Sequence, residues 1–82
     1  MQKYNISSAS QRQRLLAWLR EHGRIDTITA RCELDIMSPA ARVLELRRRG
    51  FDIITNWLIV DTGSAKHRMG EYVLMQKVAT DV

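Results

Sequence analysis

The 82-residue sequence is sparing with the residues that staple, break or decorate a small fold: it has one cysteine, one proline, four glycines and one phenylalanine. A lone thiol, Cys32, closes no internal disulfide, which fits a reducing compartment and leaves packing alone to hold the chain. His22 and His67 stand apart from it and from each other, so the paired spacing of a zinc site is missing and no metal or cofactor is implied. Cys32 is expected to be a small buried or half-buried residue. Aromatics make up only 6% of the chain, too few to interleave with basic residues as a platform for RNA bases. No apolar run approaches a membrane span, and the start, MQKYNISSAS, lacks the apolar core of a signal peptide; a cytoplasmic location with no membrane partner is expected. No nucleophile–base pair, carboxylate dyad or phosphate-cradling glycine loop stands out, since Asp61, Thr62 and Ser64 gather as turn residues do. Neither enzymatic activity nor a small-molecule ligand is expected.

What the chain does have is positive charge. A formal net charge of +4 directs attention to acidic partners, nucleic acid first and anionic lipid second. At 45% hydrophobic and 27% charged it reads as one small globular domain with a core near the lower size limit.

The first nine residues are polar and aperiodic and predict a flexible arm, 1–9. Ser10 and Gln13 have the spacing of a capping box, and Gly23 suits a left-handed stop, so a first helix is expected between them. Its stripe is Leu15, Leu16 and Leu19, with Trp18 as a half-buried edge of the core and His22 near the last carbonyls. "RID" adds Ile25 to a sheet edge. Asp26 or Thr27 caps a short second helix, TITARCELD, whose Ala30 and Leu34 share a face. Ser38–Pro39 opens a third helix as N-cap and first helical residue, and Gly50 ends it. FDIITNWLIV and EYVLM read as two antiparallel strands around the polar turn DTGSAKHRMG, and 76–82 forms a tail. The fold class is therefore α+β: a three-helix core followed by a two-stranded hairpin.

In the third helix the 3.6-residue period groups Ala40, Val43, Leu44 and Leu46 on a packed side, and Ser38, Ala41, Arg42, Glu45, Arg48 and Arg49 on the opposite side. Arg47 leans toward the apolar side but can snorkel past the helix end. Small residues early and arginines late suit a helix laid in the major groove. Ser38 and Ala41 let the first turns approach base edges, Arg42 reaches guanine, and Glu45 orients an arginine or accepts from cytosine. Arg48 and Arg49 then meet phosphates, as do Arg12 and Arg14 of the first helix. An ordinary solvated face, with Glu45 and Arg49 as a surface pair, accounts for the same charges taken alone. Gln11–Arg24 and Ser38–Gly50 each carry four arginines against one glutamate, net +3, whereas Ile25–Ile36 is net −2.

From Ser10 to Leu74 the chain resembles the winged helix-turn-helix family, in particular small prophage-type helix-turn-helix proteins. The resemblance rests on TITARCELDIMSPAARVLELRRRGFDI followed by TNWLIVDTGSAKHRMGEYVL, with an L-x-x-x-G handover from helix to strand at Leu46 and Gly50. It implies that 10–75 is a winged helix-turn-helix domain that binds double-stranded DNA, often as a dimer, in transcription regulation or recombination. It also makes 38–49 the recognition helix and Lys66, His67 and Arg68 the wing tip, although Asp61 lies close to that tip.

The strand FDIITNWLIV is apolar on both faces: Phe51, Ile53, Trp57 and Ile59 on one, Ile54, Leu58 and Val60 on the other. A wing packed on one side needs only one such face. The surplus at Trp57 and Ile59 points to cover by a second protomer, by the terminal tail or by a partner. A homodimer would double a modest DNA footprint. The alternative reading is a protein–protein interaction module on the same scaffold, using the Trp57 hairpin.

Overall fold

The computed structural model describes residues 6–75. Among them α1 (Ser8–His22), α2 (Thr27–Leu34) and α3 (Pro39–Arg48) pack beside an antiparallel sheet of β1 (Arg24–Asp26), β2 (Ile53–Asp61) and β3 (Lys66–Leu74). The sheet order is β1-β3-β2, so Ile25 does join a sheet edge, paired with Tyr72, and the expected two-stranded hairpin gains a third strand.

Local chemistry explains most element ends. α1 starts earlier than its capping-box spacing predicts. Ser7, extended at φ −63° and ψ 150°, is the N-cap and accepts from the Ser10 amide at 3.1 Å. Ser10 lies inside the first turn, where its hydroxyl accepts instead from Arg14 Nη1 at 2.8 Å. Ser8 and Ala9, expected in the arm, are therefore helical; residues 1–5 of the predicted arm and the predicted tail lie outside the described residues. Gly23 ends α1 at φ 85°, its amide donating to Leu19 O at 2.8 Å. The adjacent Trp18 ring is half-buried and donates from Nε1 to Arg24 O at 3.1 Å. His22 does not cap the helix; its ring lies against Trp18 with centroids 4.3 Å apart, tilted by 40°.

Asp26 caps α2 by accepting from the Thr29 amide at 2.7 Å. The exit of α2 uses a non-glycine left-handed residue, Asp35 at φ 54°. The Ile36 amide then reaches back to Ala30 O at 3.1 Å, and the Ile36 side chain is fully enclosed. Ser38 is the N-cap of α3 with Pro39 behind it, but its hydroxyl makes no cap bond; its carbonyl accepts from Ala41 and Arg42. α3 ends at Arg48, one residue short of the expected boundary, and Gly50 takes the left-handed turn at φ 98°.

The core joins Leu15 and Leu19 of α1, Ile25 of β1, Ala30 and Leu34 of α2, Ile36 of the turn that follows it, Val43 and Leu46 of α3, Ile53 of β2 and Tyr72 of β3. Each helix thus commits residues three or four apart, as a helix with one buried stripe must. Cys32 is exposed rather than buried, because the Ala30–Leu34 stripe turns the residue between them to the solvent side.

Candidate nucleic-acid interface

Three residues of α3, Pro39, Val43 and Leu46, at spacings of four and three, form its buried stripe. The packed side is therefore rotated from the one expected from hydrophobicity alone. Ala40 and Leu44 face solvent, Leu44 at 45% exposure, and extend the open surface from Met37 through Ala40 toward Arg48. Ser38 is exposed and Ala41 half-exposed, so the small-residue opening of the helix is accessible.

Arg42 and Glu45 lie at the flank of that surface, turned against α1. Glu45 Oε1 accepts from Arg12 Nη1 at 2.9 Å and Oε2 pairs with Arg42 Nη2 at 3.1 Å. Arg42 also donates to the Ser8 hydroxyl. The exposures that remain are 15% for the Arg42 side chain and 26% for Glu45. The hydrogen bond from Arg12, aided by the charges of Arg42, Arg12 and Arg49, holds the Glu45 carboxyl below the usual carboxylate range against a desolvation effect of opposite sign. This triad braces the start of α1 to the middle of α3. Arg42 Nε is enclosed with no hydrogen-bond partner among the described residues, so its guanidinium retains unused donor capacity.

The other arginines divide by whether the fold already occupies them. Arg12 is in the triad, and Arg14 donates from Nε to Leu34 O at 2.9 Å, tying α1 to the end of α2; neither stands free on the surface as a phosphate ligand would. Arg47 donates from Nε to Ile53 O at 2.6 Å and from Nη2 to Thr55 Oγ1 at 2.9 Å, linking α3 to β2 past the helix end. Arg48 and Arg49 are exposed, Arg49 reaching only its own helix at Glu45 O, 3.2 Å away.

Lys66, His67 and Arg68 are not at the tip of the hairpin. Regular pairing continues to Asp61↔Lys66, so all three lie on the exposed opening of β3, and the tip is the uncharged Thr62–Ala65 turn. Thr62 N bonds Ala65 O at 3.0 Å and Asp61 Oδ1 accepts from Gly63 N at 2.9 Å, so Asp61 organises the turn. Arg68 lies over the Trp57 ring, 4.6 Å from its centroid.

Hairpin and helices face each other across a groove of about 490 Å³. Ile28 and Arg31 of α2 and Pro39 and Ala40 at the start of α3 form one wall; Trp57, His67, Arg68 and Met69 lie on the other. The start of α3 is thus brought together with the basic opening of β3, while Arg42, Glu45, Arg12 and Arg14 are grouped elsewhere, on the α1 side. Arg31 was not singled out by the sequence, where it sits in a net-acidic segment. The structure places it at the groove, its Nε donating to Met37 O at 3.1 Å. Among the described residues no group of His, Cys, Asp and Glu could hold a metal, and no helix is long and apolar enough to cross a membrane.

Residues 10–77 match the sequence profile of the winged helix-turn-helix domain. No curated protein and no solved structure gives a significant match. The match takes in all three helices and all three strands apart from the first two residues of α1, and domains of this kind bind DNA in general. The α1-β1-α2-α3-β2-β3 order, the tight α2–α3 turn and the β2–β3 wing agree with it. The chain belongs to the winged helix-turn-helix family.

Proposed function

We propose that the protein is a non-enzymatic, sequence-specific binder of double-stranded DNA, acting in the cytoplasm as a small phage-type transcriptional regulator or recombination accessory factor. α3 enters the major groove and the wing follows the neighbouring backbone. The observation that carries this reading is the shared groove: the accessible opening of α3 and the basic start of β3 line it together, with Arg31 on the α3 side.

In this reading Ser38 and Ala41 permit close approach to base edges. Arg42 exchanges part of its pairing with Glu45 for a base, and Glu45 holds the guanidinium in orientation. Arg48, Arg49, Lys66, His67 and Arg68 neutralise phosphates. Arg12 and Arg14 contribute to the field around the site, and reach phosphate only by leaving their internal acceptors. Two copies about a two-fold axis double the footprint.

The test is a duplex titration followed by fluorescence anisotropy at two salt concentrations. Affinity should fall steeply with salt, since each phosphate contact adds roughly 0.9 to the logarithmic slope. Absence of duplex binding at low salt would overturn the reading.

A second reading is favoured by Trp57 and Ile59, which are 59% and 66% exposed on the hairpin. A protein-interaction module using this surface would bind DNA weakly with little salt dependence, and Trp57→Ala would abolish partner capture.

A further inference from the structure

The hydrogen-bond phase of β2 gives its free edge a definite pattern. Thr62 N bonds Ala65 O and Met75 N bonds Asp52 O, at 3.0 and 2.8 Å, on either end of the β2–β3 ladder. Bonded and non-bonded pairs alternate along an antiparallel ladder. The even-numbered residues of β2 therefore direct N–H and C=O toward β3, and Ile53, Thr55, Trp57, Ile59 and Asp61 direct theirs away from it. An independent contact agrees: the Ile53 carbonyl accepts from Arg47 on the side away from β3. In the order β1-β3-β2 nothing pairs with β2 on that side.

Edge strands normally carry some device against pairing, such as shortness, lysine, proline or a bulge. β1, the opposite edge, is three residues long with Arg24 and Asp26 at its ends. Beyond the cover that Arg47 gives its root at Ile53 and Thr55, β2 has none of these devices. It spans nine residues, contains no proline, lysine or arginine, and pairs with β3 in unbroken register. Its only charge is Asp61, at the end, and Ile54, Trp57 and Ile59 are exposed along it.

We propose that two copies of the chain pair antiparallel through their β2 edges about a two-fold axis at Leu58, making one six-stranded sheet in the order β1-β3-β2-β2-β3-β1. This names the surface for the dimer proposed above and rests on that part of the reading, but not on DNA binding. The occupant is a second copy because the edge is its own complement. With the axis at Leu58, Thr55 faces Asp61 and Trp57 faces Ile59 of the other copy, and every outward N–H and C=O of these residues is paired. No like charges are opposed, and the +4 surplus of the chain lies off the seam strand. Arg47 argues against the neighbouring axis at Trp57, and an axis at Ile59 would pair fewer strand residues. Centring at Trp57 would set Asp61 against Ile53, whose carbonyl is already occupied.

Cross-linking and sedimentation test the pairing. In a Cys32→Ser background, Leu58→Cys places the two thiols opposite each other in a non-bonded pair, the closest kind, and mild oxidation should yield a covalent dimer. Val60→Cys alone should not cross-link, because its counterpart is Asn56; an equal mixture of Asn56→Cys and Val60→Cys chains should. By sedimentation velocity the unmodified chain should run at twice the monomer mass. Ile59→Pro, which removes an outward N–H and leaves the β3 ladder intact, should run as a monomer with unchanged far-UV circular dichroism. If the proline variant does not fold, Ile59→Lys provides the same reading at an exposed side chain. A monomeric unmodified chain, or a dimer that survives Ile59→Lys and gives no Leu58→Cys cross-link, would overturn the proposal. Duplex titration of Ile59→Lys keeps the two ideas separate, since monomeric DNA binding would sink neither the fold nor α3 as the reader.

Discussion

Glu45 is the acid on which two helices converge, and its ionisation is linked to folding. Its carboxyl is held below its ordinary value by Arg12 first, with desolvation opposing. A depressed folded-state pKa means that the stabilisation is fully present above the unfolded value and is lost as pH falls through the folded one. Stability should therefore decline on acidification below the usual carboxylate range, and Glu45→Gln should remove that part of the decline; urea unfolding at neutral and acidic pH checks both. Gly23 poses a purely conformational test. A Cβ there meets nothing within 4 Å, yet φ is +85°. Gly23→Ala should thus cost about 1–2 kcal/mol, the penalty of a left-handed residue with a side chain, read as a lower denaturant midpoint with unchanged slope.

Among the elements, α3 is where prediction and structure differ most. The period was legible, and Val43 and Leu46 are inside as expected, but Ala40 and Leu44 are outside. Two facts absent from local sequence set the rotation. Ile36 fills the core just before the helix, so Pro39 rather than Ala40 begins the buried stripe. The Arg12–Glu45 pair spans 33 residues and draws one flank of α3 onto α1. The same long-range pairing is why Arg12 and Arg42 looked free in the sequence. The start of α1 moved because Ser7 offers a cap a turn earlier than the spacing of Ser10 and Gln13. Lys66, His67 and Arg68 lie off the tip because pairing with β2 continues into the polar stretch DTGSAKHRMG, as far as Lys66. Caps at Gly23 and Asp26 are legible because they are decided by adjacent residues, whereas the left-handed exit at Asp35 is not, since the second helix reads through Asp35 in sequence. For the interface, Arg48→Ala and Arg49→Ala should each weaken all duplexes alike and reduce the salt slope by about one, whereas Arg42→Ala should cost about 1–3 kcal/mol against the preferred base pair only. Competition titrations with matched and scrambled duplexes separate the two behaviours.

At the scale of the whole molecule, a chain this short with no disulfide depends on a few side chains. Leu15 is fully enclosed at the meeting of the layers, and Leu15→Ala should cost about 2–5 kcal/mol, a large share of the stability of a small domain; equilibrium denaturation measures it. Fold class was accessible from sequence because helix periods, caps and strand composition are local. The partners of individual charges were not, because those depend on which surfaces come to lie together. The Arg47 link is such a long-range consequence. Its two hydrogen bonds fasten the end of α3 to the root of the hairpin, so sliding the helix along its axis would stretch both. If α3 reads DNA as proposed, the jaw between it and the wing has a set gauge. Double helices of the wrong groove width must deform to fit it, and the energy of that deformation is itself a means of choosing among sequences.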